Sequence, residues 1–256
     1  MNLNRLIALI VSLVMILGCL ASCDIIGNND NPGETPVEAY RADVDIRFAT
    51  DDNKIKDAIN VMSSRAIVIV NKDNVRIDTI AKTNTTSVDR KYTLIDGVLY
   101  SNLLVQTNAL AVSECQKAFV DGNKKDEILN TFGEGASIGV GDFYVSDIHK
   151  DGDNFSYVCS DPFDELKASL HKMVAARFAA IGATVTVSDV EYQLEVVNGR
   201  DSSSILSVNY VIDLDGETYS VIMRLYTTYS YDGDFTITLP EDADKYTEVS
   251  YQDIVK

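Results

Sequence analysis

Asp189-Val190-Glu191-Tyr192-Gln193-Leu194-Glu195-Val196-Val197-Asn198-Gly199-Arg200 is the stretch whose pattern decides the fold. Val190, Tyr192, Leu194 and Val196 alternate with Asp189, Glu191, Gln193 and Glu195. A strand here therefore buries one apolar row and keeps one charged row in water. Asn198-Gly199 then supplies two residues tolerant of positive φ, as a two-residue hairpin requires. The chain answers with Leu206, Val208, Tyr210, Ile212 and Leu214, turns again at Asp215-Gly216, and continues through Tyr219, Val221, Met223, Leu225 and Tyr229. This is a three-strand meander with one greasy face and one wet face. Phe235, Ile237 and Leu239 read as a further strand before Pro240.

Upstream of the meander lies the best helix in the chain. Asp161 is placed to cap it, Pro162 suits its first turn, and Asp164 and Glu165 suit its positive end. Phe163, Leu166, Leu170, Met173, Val174, Phe178 and Ile181 form a broad apolar stripe, and Gly182 stops it. Phe163 to Ile181 would be about 28 Å long. Earlier still, Tyr40 to Phe48 alternates as a half-buried strand, and Asn53 to Met62 carries Ile55, Ile59 and Met62 at helical spacing. Ala66 to Val70 and Val75 to Ala81 flank a turn, as do Lys91 to Ile95 and Val98 to Leu104 around Asp96-Gly97. Ala109 to Phe132 reads as one or two short helices, followed by a glycine-rich loop from Gly133 to Gly141. Asp142 to His149 and Asn154 to Cys159 form another hairpin around Asp151-Gly152.

The N-terminus sets the compartment. A short polar start with Arg5 precedes an apolar run from Leu6 to Leu17, which is the length of a signal-peptide core and too short for a membrane span of about 20 residues. It ends in Leu20-Ala21-Ser22-Cys23, which resembles the lipobox of bacterial lipoproteins. Residues 1–22 are thus expected to be a signal peptide. The resemblance implies a diacylglyceryl group on the Cys23 thiol and cleavage just before it, which gives an extracytoplasmic protein anchored to the cell membrane by lipid. Residues 23–38 read as the lipidated cysteine and a flexible linker of Gly, Asn, Asp and Pro, spanning about 20 Å on average. With no second linker, residues 39–256 read as a single domain.

The formal charge of −17 repels phosphate backbones and anionic headgroups, so nucleic acid is not an expected partner. Beyond the signal only Cys115 and Cys159 remain. Outside the cytoplasm they could pair as one disulfide, and two buried free thiols would read the same way.

Counting layers gives an α+β fold: about ten antiparallel strands, roughly 45 Å across if flat, against helices covering about two thirds of that width. Either the sheet wraps the long helix around a dry core, or it stays part-open with an apolar groove. The hairpin Tyr92 to Tyr100, the helix after Asp161-Pro162, the three-strand meander and the closing Leu239-Pro240-Glu241-Asp242-Ala243-Asp244 occur in an order that resembles the LolA/LppX/LprG-like superfamily, in its uncharacterised Gram-positive lipoprotein branch. The likeness runs over roughly Tyr40 to Tyr246. It implies a curved antiparallel half-barrel sheet with a long helix packed on its concave face, and a cavity holding lipid or an acylated molecule.

Catalytic chemistry has little to work with. Gly135-Ala136-Ser137-Ile138-Gly139 matches a nucleophile-elbow pattern, but a strand follows it, and the only histidines are His149 and His171. The Asp213 to Glu217 segment lacks the spacing of a calcium loop, and Asp151-Gly152 and Asp232-Gly233 read as hairpin turns. The expectation is a binding protein without enzymatic activity, cofactor or metal. A hydrophobic ligand would lie between Leu170, Met173, Val174 and Phe178 of the helix and Leu194, Val208, Tyr210, Ile212, Met223 and Leu225 of the meander. The alternative is a cell-envelope interaction or structural protein with a closed core, its protein partner unknown.

Overall fold

The computed structural model describes residues 39–255, apart from 57, 58, 60–62, 84, 123, 133–137, 180 and 181, and without the side chains of Asn130, Met173, Ala176 and Arg177. The signal, Cys23, the linker and Ser137 lie outside the described residues. The strands are β1 (Ala39–Ala49), β2 (Ser64–Asn71), β3 (Asn74–Lys82), β4 (Thr86–Ile95), β5 (Val98–Thr107), β6 (Ala111–Phe119), β7 (Phe143–Asp151), β8 (Asn154–Pro162), β9 (Thr184–Val197), β10 (Arg200–Leu214), β11 (Glu217–Ser230) and β12 (Thr247–Glu248). Among the described residues three helices accompany them: α1 (Lys125–Phe132), α2 (Asp164–Ala179) and α3 (Tyr251–Val255).

All twelve strands belong to one sheet, in the order β12-β6-β5-β4-β3-β2-β1-β11-β10-β9-β8-β7. It consists of two antiparallel meanders, β1 to β6 and β7 to β11. They join where β1 pairs with β11, from Arg41 opposite Ser230 to Ala49 opposite Ile222. The hairpin turns follow from their residues: Asp96-Gly97, Asn198-Gly199 and Asp215-Gly216 all have positive φ, between 50° and 80°, which only glycine and short polar side chains adopt readily.

Alternation sorts the side chains as the sequence predicts. Val44 and Ile46 of β1, Val68 of β2, Ile77 of β3, Leu206 and Val208 of β10 and Val221 and Met223 of β11 are all buried in one core cluster. The opposite face carries ion pairs two residues apart on one strand. Arg41 Nη2 lies 2.6 Å from Asp43 Oδ1, and Arg76 Nη2 lies 2.6 Å from Asp78 Oδ2. These pairs are half-buried at the sheet surface, still reached by solvent, and contribute little to stability.

The expected α+β half-barrel of about ten strands with a long helix on its concave face is overturned. Among the described residues 60% are strand and 17% helix, arranged as an open twelve-stranded sheet with three short helices. The longest helix, α2, has 16 residues, about 24 Å of length, against a sheet that is roughly 50 Å wide if flat. It packs against β8 and β9 and reaches β10 where the Tyr210 hydroxyl donates to the Leu170 carbonyl at 3.1 Å. The rest of the apolar face is covered by several short pieces. Ile55 and Ile59 are buried in the same core. The connection from β6 to β7 also runs between opposite ends of the sheet order. On the way Phe132 stacks on Tyr92 with ring centroids 3.7 Å apart, the Ile138 carbonyl accepts a 3.0 Å bond from the Tyr192 hydroxyl, and Phe143 stacks on Tyr192 at 5.0 Å.

Several local expectations change too. Ala111 to Phe119, expected to be helical, is strand β6. Asp161 and Pro162 end β8 instead of opening α2, with Asp161 at φ 54°. Phe235 to Leu239 is not a strand of the sheet. At one end of the sheet order, the two-residue β12 pairs in parallel with Gln116 and Lys117 of β6. At the other, β7 carries two register irregularities, at Phe143/Tyr144 and Val145/Asp147.

Cys115 and Cys159 are both free, so they are not bridged. Cys115 is on β6, paired with Asn102 on the outward face. Cys159 is on β8, fully buried beside Tyr192. No strand neighbours both, and a disulfide needs Cα atoms within about 7 Å. Thiol titration of the denatured, unreduced chain from Asp24 onward should therefore find both cysteines reactive; a single bridged pair with no reactive thiol would contradict this arrangement.

Candidate functional site

The side chains proposed to hold a ligand come together, but as core. Leu170 and Val174 are fully buried on α2 with Phe178, and Leu194, Val208, Tyr210, Ile212, Met223 and Leu225 join them in one cluster. The Met173 side chain lies outside the described ones. The Tyr210 hydroxyl bond to the Leu170 carbonyl passes directly between helix and sheet in the middle of this group.

A cleft of about 520 Å³ opens elsewhere, within the usual range for ligand sites. Its origin is a fork in the sheet. The β10–β11 ladder ends at Ser203 opposite Thr228. Beyond that point β11 continues against β1 to Ser230, while β10 runs on with β9 to Arg200 opposite Val197. A register shift between Asp201 and Ser203 leaves Ser202 as a bulge, and bulges bend a strand and re-aim its side chains. Asn198, Arg200, Asp201 and Ser202 form one wall of the gap, and Tyr229, Ser230, Tyr231 and Asp232 form the other.

The aromatic wall is reinforced from β1. The Tyr40 ring lies 6.4 Å from Tyr229 and 6.4 Å from Tyr231, tilted to both. The Arg200 guanidinium sits over the Tyr231 ring, 5.3 Å from its centroid, a favourable cation–π placement. Burial, with smaller contributions from Asp126 and Asp201, pushes the Tyr40 hydroxyl up to about 12. Burial also holds Tyr229 well above its ordinary value, with Tyr192 and Asp201 adding to it. These hydroxyls remain protonated near neutral pH and serve as hydrogen-bonding groups, not bases.

No other cluster among the described residues offers comparable chemistry. The His171 Nε2 atom lies 3.0 Å from the Val185 carbonyl oxygen, and His149 is exposed on β7. No group of three or more His, Cys, Asp and Glu side chains is placed to hold a metal among the described residues. Asp234 bonds to Thr236 within its own turn, 3.0 Å from the backbone nitrogen.

In the sequence Tyr229 is legible only as one of the tyrosines on the apolar face of the meander, and Arg200, Asp201, Ser202 and Tyr231 are not marked as a site. Their one signal is the polar run Arg200-Asp201-Ser202-Ser203-Ser204, which separates the Asn198-Gly199 turn from Ile205. A strand end of five polar residues has no apolar row to bury.

No family model matches this chain, and no curated protein matches it. Among solved structures, an inactive mutant of the CurJ dehydratase is similar at 8% identity and a TM-score of 0.14, covering 88% of this chain and 82% of that one. The dehydratase domain of the polyketide PpsC from Mycobacterium tuberculosis is similar at 9% identity and a TM-score of 0.17, covering 87% and 83%. Likeness at that level carries neither fold nor activity to this chain.

The tyrosine cluster makes stability pH-dependent at the alkaline end. An unfolded tyrosine ionises near pH 10, and folded Tyr40 near 12. The stability gained from keeping Tyr40 protonated is whole below about pH 10 and is lost as pH rises through about 12. Chemical denaturation from pH 8 to 12 should show a decline confined to that alkaline window, and Tyr40→Phe should flatten it. An unchanged slope in the variant would remove Tyr40 from the account.

Proposed function

We propose that the chain is a lipid-anchored, extracytoplasmic interaction protein of the cell envelope, tethered through Cys23, whose binding chemistry lies on its surface and not between sheet and helix. The single observation that carries this reading is the 3.0–3.1 Å contact of two buried tyrosine hydroxyls with the covering backbone, Tyr210 to Leu170 and Tyr192 to Ile138. An acyl chain has no room to slide where a sheet side chain bonds directly to the segment lying over it. The sequence side of the proposal is the apolar run that ends in Leu20-Ala21-Ser22-Cys23. No helix among the described residues is long and apolar enough to cross a membrane. Two acyl chains on Cys23, at about 0.8 kcal/mol per buried CH₂, would hold the domain stably at a bilayer. Neither catalysis nor a nucleic-acid partner forms part of the proposal.

The test has two arms. Expressed in bacteria with an alkyne-tagged fatty acid, the full chain should take up label and sediment with membranes, and Cys23→Ala should take up no label. An unlabelled wild-type chain would end the anchoring proposal. Native mass spectrometry of the Cys23→Ala chain, prepared without detergent, should show bare protein mass. A stoichiometric co-purifying lipid would instead favour a carrier.

A further inference from the structure

We propose that the fork between β10 and β11 binds a neutral saccharide. The site has the two faces that a sugar ring presents to a protein. Tyr229 and Tyr231, backed by Tyr40, provide aromatic surface for the apolar C–H face of a pyranose. Asn198, Arg200, Asp201, Ser202 and Asp232 supply donors and acceptors for the ring hydroxyls, which both give and take hydrogen bonds.

Charge selects against the alternatives. Two carboxylates, Asp201 and Asp232, face a single guanidinium already placed over Tyr231, on a protein of formal charge −17. A phosphate-bearing ligand would meet net repulsion there. An acyl chain would desolvate the polar walls without satisfying them. A neutral polyol meets neither obstacle, because its hydroxyls donate to the carboxylates in charge-assisted bonds.

The backbone places the two walls: where the β10–β11 ladder stops, Arg200 to Ser202 lie on one side of the gap and Tyr229 to Ser230 on the other. The cleft's volume of about 520 Å³ has room for about two pyranose rings at protein packing density. The Ser202 bulge falls where the β10–β11 ladder stops, and a bulge bends its strand.

The proposal is independent of lipid attachment, so it is tested on the full Cys23→Ala chain. Maltotriose and the N-acetylglucosamine trimer serve as probes, with glycerol phosphate and tetramethylammonium as charged controls. Hydrogen exchange read by mass spectrometry should slow in peptides covering 197–203 and 228–232 on adding at least one trisaccharide. Calorimetry should give a Kd of about 1 mM or tighter. Tyr231→Ala, at the half-buried rim, should weaken binding about tenfold, and Asp201→Asn by a similar factor. Circular dichroism confirms that both variants fold, and the exchange map of the unmutated chain stands even if one does not. The proposal is overturned if neither trisaccharide binds, if protection falls elsewhere, if both folded variants bind as the parent does, or if a charged control protects the same peptides instead.

Discussion

The ladder between β1 and β11, from Arg41 opposite Ser230 to Ala49 opposite Ile222, joins the first strand of the fold to the eleventh. Every other neighbouring pair in the two meanders joins strands consecutive in the chain, with β8 and β9 linked through α2. This one closes a loop of most of the chain, at an entropic cost on the order of 5 kcal/mol. What offsets that cost is continuity of the apolar face: on β1, Ala42 lies beside Val68 and Val44 beside Ala66 of β2, Ile46 lies beside Leu225 of β11, and all are buried. Without that seam each meander would present a greasy flank to water, and the segments that cross both halves would have nothing continuous to lie on.

Those crossing segments are tied down by tyrosines. Tyr92, Tyr192 and Tyr210 are among the largest fully buried side chains, and each rises from the sheet to touch a covering piece: Phe132, Ile138 and Leu170 respectively. A tyrosine suits this place because its ring adds apolar area, and at Tyr192 and Tyr210 its hydroxyl also bonds a carbonyl of the covering segment. The absence of tryptophan and the presence of thirteen tyrosines thus fit a core in which sheet and cover are joined by long, polar-tipped side chains.

The meander from Val190 to Tyr229 is legible in the sequence because alternation and Asn-Gly or Asp-Gly turns are local signals, and burial on one face reinforces them. Strand β6 is not, because an edge strand buries little: most of Ala111 to Phe119 is exposed or half-exposed, so its composition lacks a clean period. The start of α2 is misplaced for another reason. Asp161-Pro162 has the composition of a helix start, but pairing of Pro162 with Phe143 draws those residues into β8. Apart from Met173, the side chains expected to hold a ligand lie in one buried cluster, and no local pattern separates a groove wall from a packed core. The fork is less legible still. It depends on where one ladder stops while its neighbours continue, a property of three strands at once.

The two register irregularities in β7 and the small parallel strand β12 against β6 have a consequence for crowding. A flat open edge is a template for joining to another copy. Lipid tethering of the proposed kind would confine copies to a surface, where encounters are far more frequent than in dilute solution and edges meet at similar heights. Kinking one margin and capping part of the other would let such a layer be dense without knitting itself into a continuous ribbon.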